Sequence, residues 1–277
     1  MNLEASTAVT GTIPLTIAPT RARRRWRLAR HSLVLARRGL INTMRTPEAL
    51  IDVTLQPIIF LVMFTYIFGG AIAHGSQHAY LEFLLPGILG QTIAMGGIAI
   101  GVNLNNDVTK GIFDRFRSLP IARSAPLVGA VLADVVRYAI LCVVTLGFGY
   151  VLGFRAHTNA VDVLGACLLA IGFALCLCWA SVFVGMIART SGSVQGIMTL
   201  IVLPLSFGSN TFVPTATMPA WLQSFVKVNP LTQLVGALRG LLLGGPAASH
   251  VLWTLAWMGI LLVVFVPLAL RAYRRRV

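Results

Sequence analysis

Two charged residues, Asp134 and Arg137, lie inside a long apolar stretch of the chain. Residues three apart on a helix share a face, so these two side chains can form an ion pair. A charge inside a membrane is costly and marks a paired group, a polar cavity or a proton relay. We expect a structural pair near the cytoplasmic boundary, and a proton relay is the alternative.

A basic, polar island at residues 107–126 separates two apolar runs. Short loops rich in Lys and Arg mark the cytoplasmic side of membrane proteins. The island mixes basic and large apolar side chains, namely Lys110, Arg115, Arg117, Arg123, Phe113, Phe116 and Leu119. A solvated turn does not need those apolar side chains, and we therefore predict a docking element for another protein.

The sequence lacks familiar catalytic and nucleotide-binding motifs. Neither lysine, Lys110 or Lys227, lies in a GxxxxGK[ST] sequence, so no P-loop is predicted. HExxH and GxSxG are absent. The cysteines fall inside apolar runs without metal-ligand spacing and are expected to be packing residues: Cys142, Cys167, Cys176 and Cys178. We expect no enzyme, no metal site and no cofactor bound by this chain.

Composition indicates an integral membrane protein. Of 277 residues, 57% are hydrophobic and only 11% are charged, whereas soluble domains average about 25% charged residues. The net charge of +14 comes largely from clusters before the first apolar run and at the C-terminus. Such juxtamembrane clusters attract anionic lipid, and we therefore expect a lipid bilayer rather than nucleic acid as the partner of these charges.

The N-terminal region divides into two parts. Residues 1–20 are rich in Thr, Ala and Pro, which predicts a disordered tail. Residues 21–46 show apolar residues at helical spacing among arginines, which predicts an amphipathic interfacial helix rather than a signal peptide or a merely basic tail. The residues assigned to this helix are Trp26, Leu33, Arg37, Leu40, Met44 and Arg45.

The remainder, residues 47–277, is predicted to be one all-α membrane domain with six transmembrane helices. A spanning helix needs about 20 apolar residues, and such segments lie at about 51–70, 83–105, 124–153, 161–188, 194–213 and 250–271. Placing both termini in the cytoplasm leaves only Arg155, Lys227 and Arg239 among the loop cations outside, as the positive-inside rule requires.

The long connection before the last span contains two semi-apolar stretches divided by Asn229-Pro230. Each is too short to cross a bilayer, and we predict two extracellular half-helices within about 217–243. Scattered polar residues in the spans are candidates for lining a pathway, although the same helices could face lipid: Gln56, Thr65, Gln91, Asn103, Thr199 and Asn210.

Four stretches carry a family resemblance: FTYIFGGAI at 64–72, YLEFLLPGIL at 80–89, NDVTKGIFDRFRSLPIAR at 106–123, and residues 210–244 with TMPAWLQSFVKVNP. Together with the six spans, they resemble the membrane permease subunits of type-2 ABC exporters. Within that family, the chain is most similar to daunorubicin/doxorubicin-resistance permeases.

The resemblance implies an architecture and a set of partners. The segment at about 107–121 resembles the cytoplasmic coupling helix that contacts the ATPase, with Asp107, Lys110, Gly111, Phe113, Asp114, Arg115, Phe116, Arg117 and Pro120 on it. Two permeases, identical or related, would join two P-loop ATPase subunits, and ATP and Mg would be bound only there. The unit would lie in the plasma membrane of a bacterium.

The implied activity is ATP-driven export of a hydrophobic or amphipathic small molecule, such as an antibiotic. Export of a lipid or a lipid-linked glycan is the nearest alternative within the family. Outside it, a membrane-embedded enzyme would need a polar cluster, for which Asp134 and Arg137 are the candidates. An ATP-independent transporter or channel would work without any ATPase.

Overall fold

The computed structural model describes residues 47–72, 77–111 and 125–276, with side chains for 54–67, 77–111 and 127–276. Every regular element in these ranges is helical. The helices are α1 (Pro47–Ile72), α2 (Gln77–Gly96), α3 (Ile98–Thr109), α4 (Ala125–Val151), α5 (Ala160–Ile187), α6 (Ser191–Phe207), a 3-10 turn (Thr215–Thr217), α7 (Ala220–Val228), α8 (Pro230–Leu243) and α9 (Ala248–Arg276). The predicted tail and interfacial helix lie outside the described residues.

Four helical segments in the described residues are long and apolar enough to cross a membrane: Gln77–Thr109, Leu127–Val151, Ala160–Ile187 and Ala248–Arg276. Three of them match the predicted spans at 124–153, 161–188 and 250–271 to within five residues. Thr54–Ile67 and Ser191–Phe207, in the first and fifth predicted spans, are shorter apolar helices. The all-helical, membrane-capable class is therefore confirmed, and the six-span count stays a prediction.

The second predicted span, 83–105, differs from the structure because α2 and α3 are interrupted between Gly96 and Ile98. The N–H of Gly97 bonds to the carbonyl of Ala94, three residues back, at 3.3 Å. Adjacent glycines lower helix propensity and permit such an irregular turn. The combined element also extends beyond the prediction at both ends, from Gln77 to Thr109.

The fifth predicted span, 194–213, ends early because α6 stops at Phe207. Pro204 lies inside its last turn, and the Gly208 N–H closes the helix on the Pro204 carbonyl at 2.8 Å. Residues 208–214 are not helical, yet Ser209 and Thr211 are buried. Non-helical backbone at such depth is tolerated in a membrane protein only where its polar groups find partners.

The core centres on α2, which packs against α1, α4, α5 and α8. Its buried side chains include Tyr80, Leu84, Leu85 and Ile88. Helix α5 packs against α3 and, most extensively, against α9. Helix α9 leaves apolar residues such as Val263 exposed, as expected of a surface that faces lipid rather than water.

Two short helices, α7 and α8, occupy the segment in which the sequence predicts two half-helices. Asn229 separates them, and its side chain accepts the N–H of Leu231 at 2.9 Å, with Pro230 at the first helical position. Helix α8 ends at Gly244, whose φ of 82° is left-handed. The extracellular location of these helices stays a prediction.

Candidate functional site

The predicted coupling helix at about 107–121 begins on a different element from the one expected. Helix α3 continues to Thr109 and is capped by Lys110, and Gly111 then takes a left-handed φ of 67°. Because a left-handed glycine ends a helix, Asp107 belongs to the last turn of α3. A coupling helix in this segment would therefore start after Gly111. Lys110 is exposed and Asp107 is half-buried.

Most other predicted contact residues lie outside the described part of the chain. This applies to the remainder of the coupling segment: Phe113, Asp114, Arg115, Phe116, Arg117 and Pro120. It applies equally to all the residues assigned to the interfacial helix: Trp26, Leu33, Arg37, Leu40, Met44 and Arg45. Their roles stay predictions.

The structure pairs Asp134 with Arg137 on α4, as their spacing predicts. The Arg137 Nη2 atom lies 3.1 Å from Asp134 Oδ2, and both side chains are largely buried, with 10% and 16% exposed. Burial makes the pair mutually dependent, because removing either partner would leave a charge uncompensated in an apolar environment. The geometry agrees with a structural pair, and the proton-relay alternative stays a prediction.

The same arginine also supports the interruption between α2 and α3. Arg137 Nη2 donates to the Gly96 carbonyl, immediately before the irregular turn at Gly97. Tyr138 lies beside it, with its hydroxyl 3.4 Å from Arg137 Nη2 and 3.1 Å from Cys178 Sγ. Carbonyls at a helix interruption need new donors, and this network supplies one from α4.

A second arginine, Arg239 on α8, forms a site that sequence reasoning missed. Its Nε donates to the Phe83 carbonyl at 3.0 Å, and its Nη2 donates to the carbonyls of Asn210 and Thr211 at 2.7 and 3.3 Å. Its guanidinium carbon lies 3.7 Å from the Phe83 ring centroid. Arg239 thereby satisfies backbone groups of the non-helical 208–214 segment. The sequence feature that could have indicated this site is a single basic residue in a short, largely apolar helix.

A third cluster joins residues that appear scattered in the sequence. Glu82 Oε1 lies 3.7 Å from His78 Nδ1 and 3.3 Å from His157 Nε2. The histidine rings are about half exposed, and among the described residues no group of three or more potential ligands could hold a metal ion. Through these side chains the start of α2 contacts the α4–α5 loop.

The sequence profile of the ABC-2 type transporter family matches residues 30–243. This chain belongs to that family. Three relatives resemble it over most of their length. The daunorubicin resistance ABC transporter permease protein DrrB1 of Streptomyces coeruleorubidus is 37% identical over 274 residues, which cover 99% of this chain and 96% of that protein.

Two relatives come from Mycobacterium tuberculosis. The doxorubicin resistance ABC transporter permease protein DrrB is 31% identical over 257 residues, or 87% of this chain and 88% of that protein. The probable doxorubicin resistance permease DrrC is 27% identical over 264 residues, or 94% and 95%. ABC-2 membrane subunits are transport components rather than enzymes, and the ATPase is a separate subunit.

In this ABC-2 chain, the polar residues proposed to line a pathway are distributed over several elements. Thr65 on α1 and Gln91 on α2 are buried, and each has a side-chain oxygen without a hydrogen-bond partner in the described structure. Asn103 on α3 is exposed, and Gln56, Thr199 and Asn210 are half-buried. The four cysteines are free thiols within helices.

Proposed function

We propose that this chain is the membrane permease subunit of an ATP-driven exporter in a bacterial plasma membrane. Support comes from its family and from relatives whose names describe drug-resistance permeases and which match nearly the whole chain. The proposal includes six spans, both termini in the cytoplasm, and α7 and α8 on the extracellular side. The distribution of Lys and Arg supports that orientation.

We propose residues at about 107–121 as the contact with the ATPase. The observation that carries this proposal is the basic segment that directly follows α3, where Gly111 ends the membrane-capable element Gln77–Thr109. A cytoplasmic segment with paired apolar and basic side chains can bind a partner through Phe113 and Phe116 and select it through Arg117. ATP and Mg belong to that partner.

The assembly proposed is two permeases, identical or related, with two P-loop ATPase subunits. The cargo is a hydrophobic or amphipathic small molecule, in line with the drugs named in the relatives. Helices α2, α5, α6, α8 and α9 also line a partly open apolar cavity of about 250 Å³, whose walls include Phe173, Leu177, Trp257 and Phe265. A cavity with apolar walls is suited to a hydrophobic ligand.

The first experiment is affinity purification of the chain from detergent-solubilised membranes, followed by ATPase measurement of the captured complex. Phe116→Ala and Arg117→Glu should release the ATPase while leaving the permease in the membrane. The matched controls lie on α7 and should retain the ATPase. Phe225→Ala also replaces a phenylalanine by alanine, and Lys227→Glu also replaces a basic residue by an acidic one. Capture of no ATPase by the unaltered chain would refute the proposal.

Transport is then measured with the purified complex in proteoliposomes, with daunorubicin as the probe. ATP-dependent accumulation by the unaltered complex, absent in Phe116→Ala, is the expected result. ATP-dependent movement of a lipid without movement of daunorubicin would replace the drug with the alternative cargo. Daunorubicin movement without ATP or the ATPase would favour an ATP-independent transporter.

A further inference from the structure

The last turns of α3 and α5 are joined by a buried asparagine close to the proposed ATPase contact. Asn105 is fully buried, and its Nδ2 donates to the carbonyls of Gly185 and Ala188, each at 2.9 Å. These carbonyls belong to the end of α5, where the helix has no further N–H groups to offer them. Asn105 lies two residues before Asp107, where the segment proposed to contact the ATPase begins.

One turn earlier, the backbones of α3 and α5 touch directly. A Cβ atom on Gly101 would lie 2.5 Å from the Ser181 carbonyl oxygen, and one on Gly185 would lie 2.5 Å from the Gly101 oxygen. Gly101 and Asn105 are four apart and share a helix face, as do Ser181 and Gly185. No side chain lies between the two backbones at this contact. Because closely packed protein interiors have low compressibility, a displacement of one helix here also displaces the other.

The start of α6 belongs to the same contact. A Cβ atom on Gly101 would also lie 3.1 Å from Val194 Cγ1, and Val194 is fully buried. The Thr190 side chain caps α6 by accepting the Ser193 N–H at 3.2 Å. Helix α3 therefore contacts the helices on both sides of the short α5–α6 turn at residues 188–190.

Helix α9 also bonds to this turn. Arg276 Nη1 donates to the carbonyls of Met186 and Ala188 at 2.7 and 2.8 Å. The end of α5 thus receives donors from α3 and from α9, both of which pack along it. The Ala188 carbonyl accepts from both Asn105 and Arg276, so it connects α3 and α9 at the end of α5.

We propose that Asn105 is a positioning residue that couples the end of α3 to the α5–α6 turn, so that a displacement of α3 by the bound ATPase also displaces that turn. This inference rests on the proposed function, which supplies the partner and its nucleotide cycle. Asn105 touches neither nucleotide nor cargo. It holds α3 and the end of α5 together, so that the two helices move as one body.

A second buried asparagine provides the matched control. Asn229 also donates through Nδ2 to two carbonyls at the end of a helix, those of Leu205 on α6 and of Gly208 directly after it, both at 2.8 Å. Its chemistry and burial resemble those of Asn105, but it joins α6 to α8. Loss of either cap should lower thermal stability to a similar extent, so stability does not separate the two roles.

The experiment follows the α5–α6 turn in the purified permease–ATPase complex. The substitution Arg189→Cys places a thiol at an exposed position of that turn. The rate at which this thiol reacts with a water-soluble maleimide is measured twice, once without nucleotide and once with ATP plus vanadate. We expect the rate to depend on nucleotide in the otherwise unaltered complex and in Asn229→Ala. In Asn105→Ala that dependence should be lost, although the ATPase stays bound and hydrolyses ATP.

The outcomes separate the inference from the function on which it rests. A nucleotide-independent rate at position 189 in the unaltered complex would overturn the inference, as would full nucleotide dependence in Asn105→Ala. If Asn105→Ala and Asn229→Ala lose the nucleotide dependence equally, Asn105 acts only as a helix cap, and the inference is overturned. Failure to purify any ATPase with the chain would instead refute the proposed function.

Discussion

Two arginines bond to backbone carbonyls of α2, and their surroundings differ. Arg137 on α4 donates to the carbonyl of Gly96, and Arg239 on α8 donates to the carbonyl of Phe83. Arg137 is paired with a carboxylate at 3.1 Å. Arg239 has none within ion-pair distance among the described side chains and instead lies against the Phe83 ring and two further carbonyls.

The difference shows two reasons for keeping a cation in an apolar environment. Arg137 neutralises a buried carboxylate, so its loss exposes an electrostatic cost. Arg239 supplies hydrogen-bond donors to backbone carbonyls, namely that of Phe83 on α2 and those of Asn210 and Thr211 in the non-helical residues that follow α6. Four variants test this distinction, and they are described in the order of the expected loss of stability.

Arg137→Leu should have the largest effect. It leaves Asp134 buried without its partner, and breaking a buried pair from one side costs about 3–5 kcal/mol. The measurement is the thermal unfolding midpoint of the purified protein in detergent, together with its abundance in membranes. Arg189→Leu, at an exposed cation in the α5–α6 turn, is the control and should leave both values near those of the parent chain. An unchanged midpoint in Arg137→Leu would contradict the electrostatic role.

Arg239→Met should have the second largest effect. The substitution keeps an apolar side chain of similar length but removes donors to three carbonyls, and each unsatisfied buried group costs about 1–3 kcal/mol before relaxation. We expect a net loss of about 2–3 kcal/mol because the backbone can find partial substitutes. Arg239→Lys should recover only part of this loss, because one ammonium cannot reproduce the planar fork. Full recovery would show that charge alone is required.

The double substitution Asp134→Asn with Arg137→Gln should cost less than Arg137→Leu alone. Replacing both members of a buried pair by neutral groups is often close to neutral, so we expect a loss of about 1 kcal/mol from the donor to Gly96. The midpoint is compared with those of both single variants. A double variant as unstable as Arg137→Leu would mean that the Gly96 bond, and not the charge, dominates.

Phe83→Leu should have the smallest effect. It removes the aromatic face beneath Arg239 but keeps the carbonyl bonds, and a cation–π contact to a half-buried ring contributes about 0.5–1 kcal/mol. The exposed pair of Arg155 and Tyr150, with 4.3 Å between the guanidinium carbon and the ring centroid, provides the comparison. Tyr150→Leu should cost less than Phe83→Leu, and the reverse order would argue against a contribution from burial.

Much of the helical framework could be predicted from hydropathy. The spans at 124–153, 161–188 and 250–271 correspond closely to α4, α5 and α9, and the division at Asn229-Pro230 separates α7 from α8. The interruption at Gly97 and the early end of α6 were not predicted. Both depend on local backbone irregularity, which a window of mean hydropathy averages away.

The sequence by itself determined the class of the protein, its family and the Asp134–Arg137 pair, because composition, motif and helical spacing are properties of the chain alone. The tertiary structure decided the rest. It brought Arg239 to carbonyls far away in the sequence and Asn105 to the end of α5. The physical reason is that a buried backbone carbonyl without a hydrogen-bond partner is costly, and only the packing of the helices determines which donor lies within bonding distance.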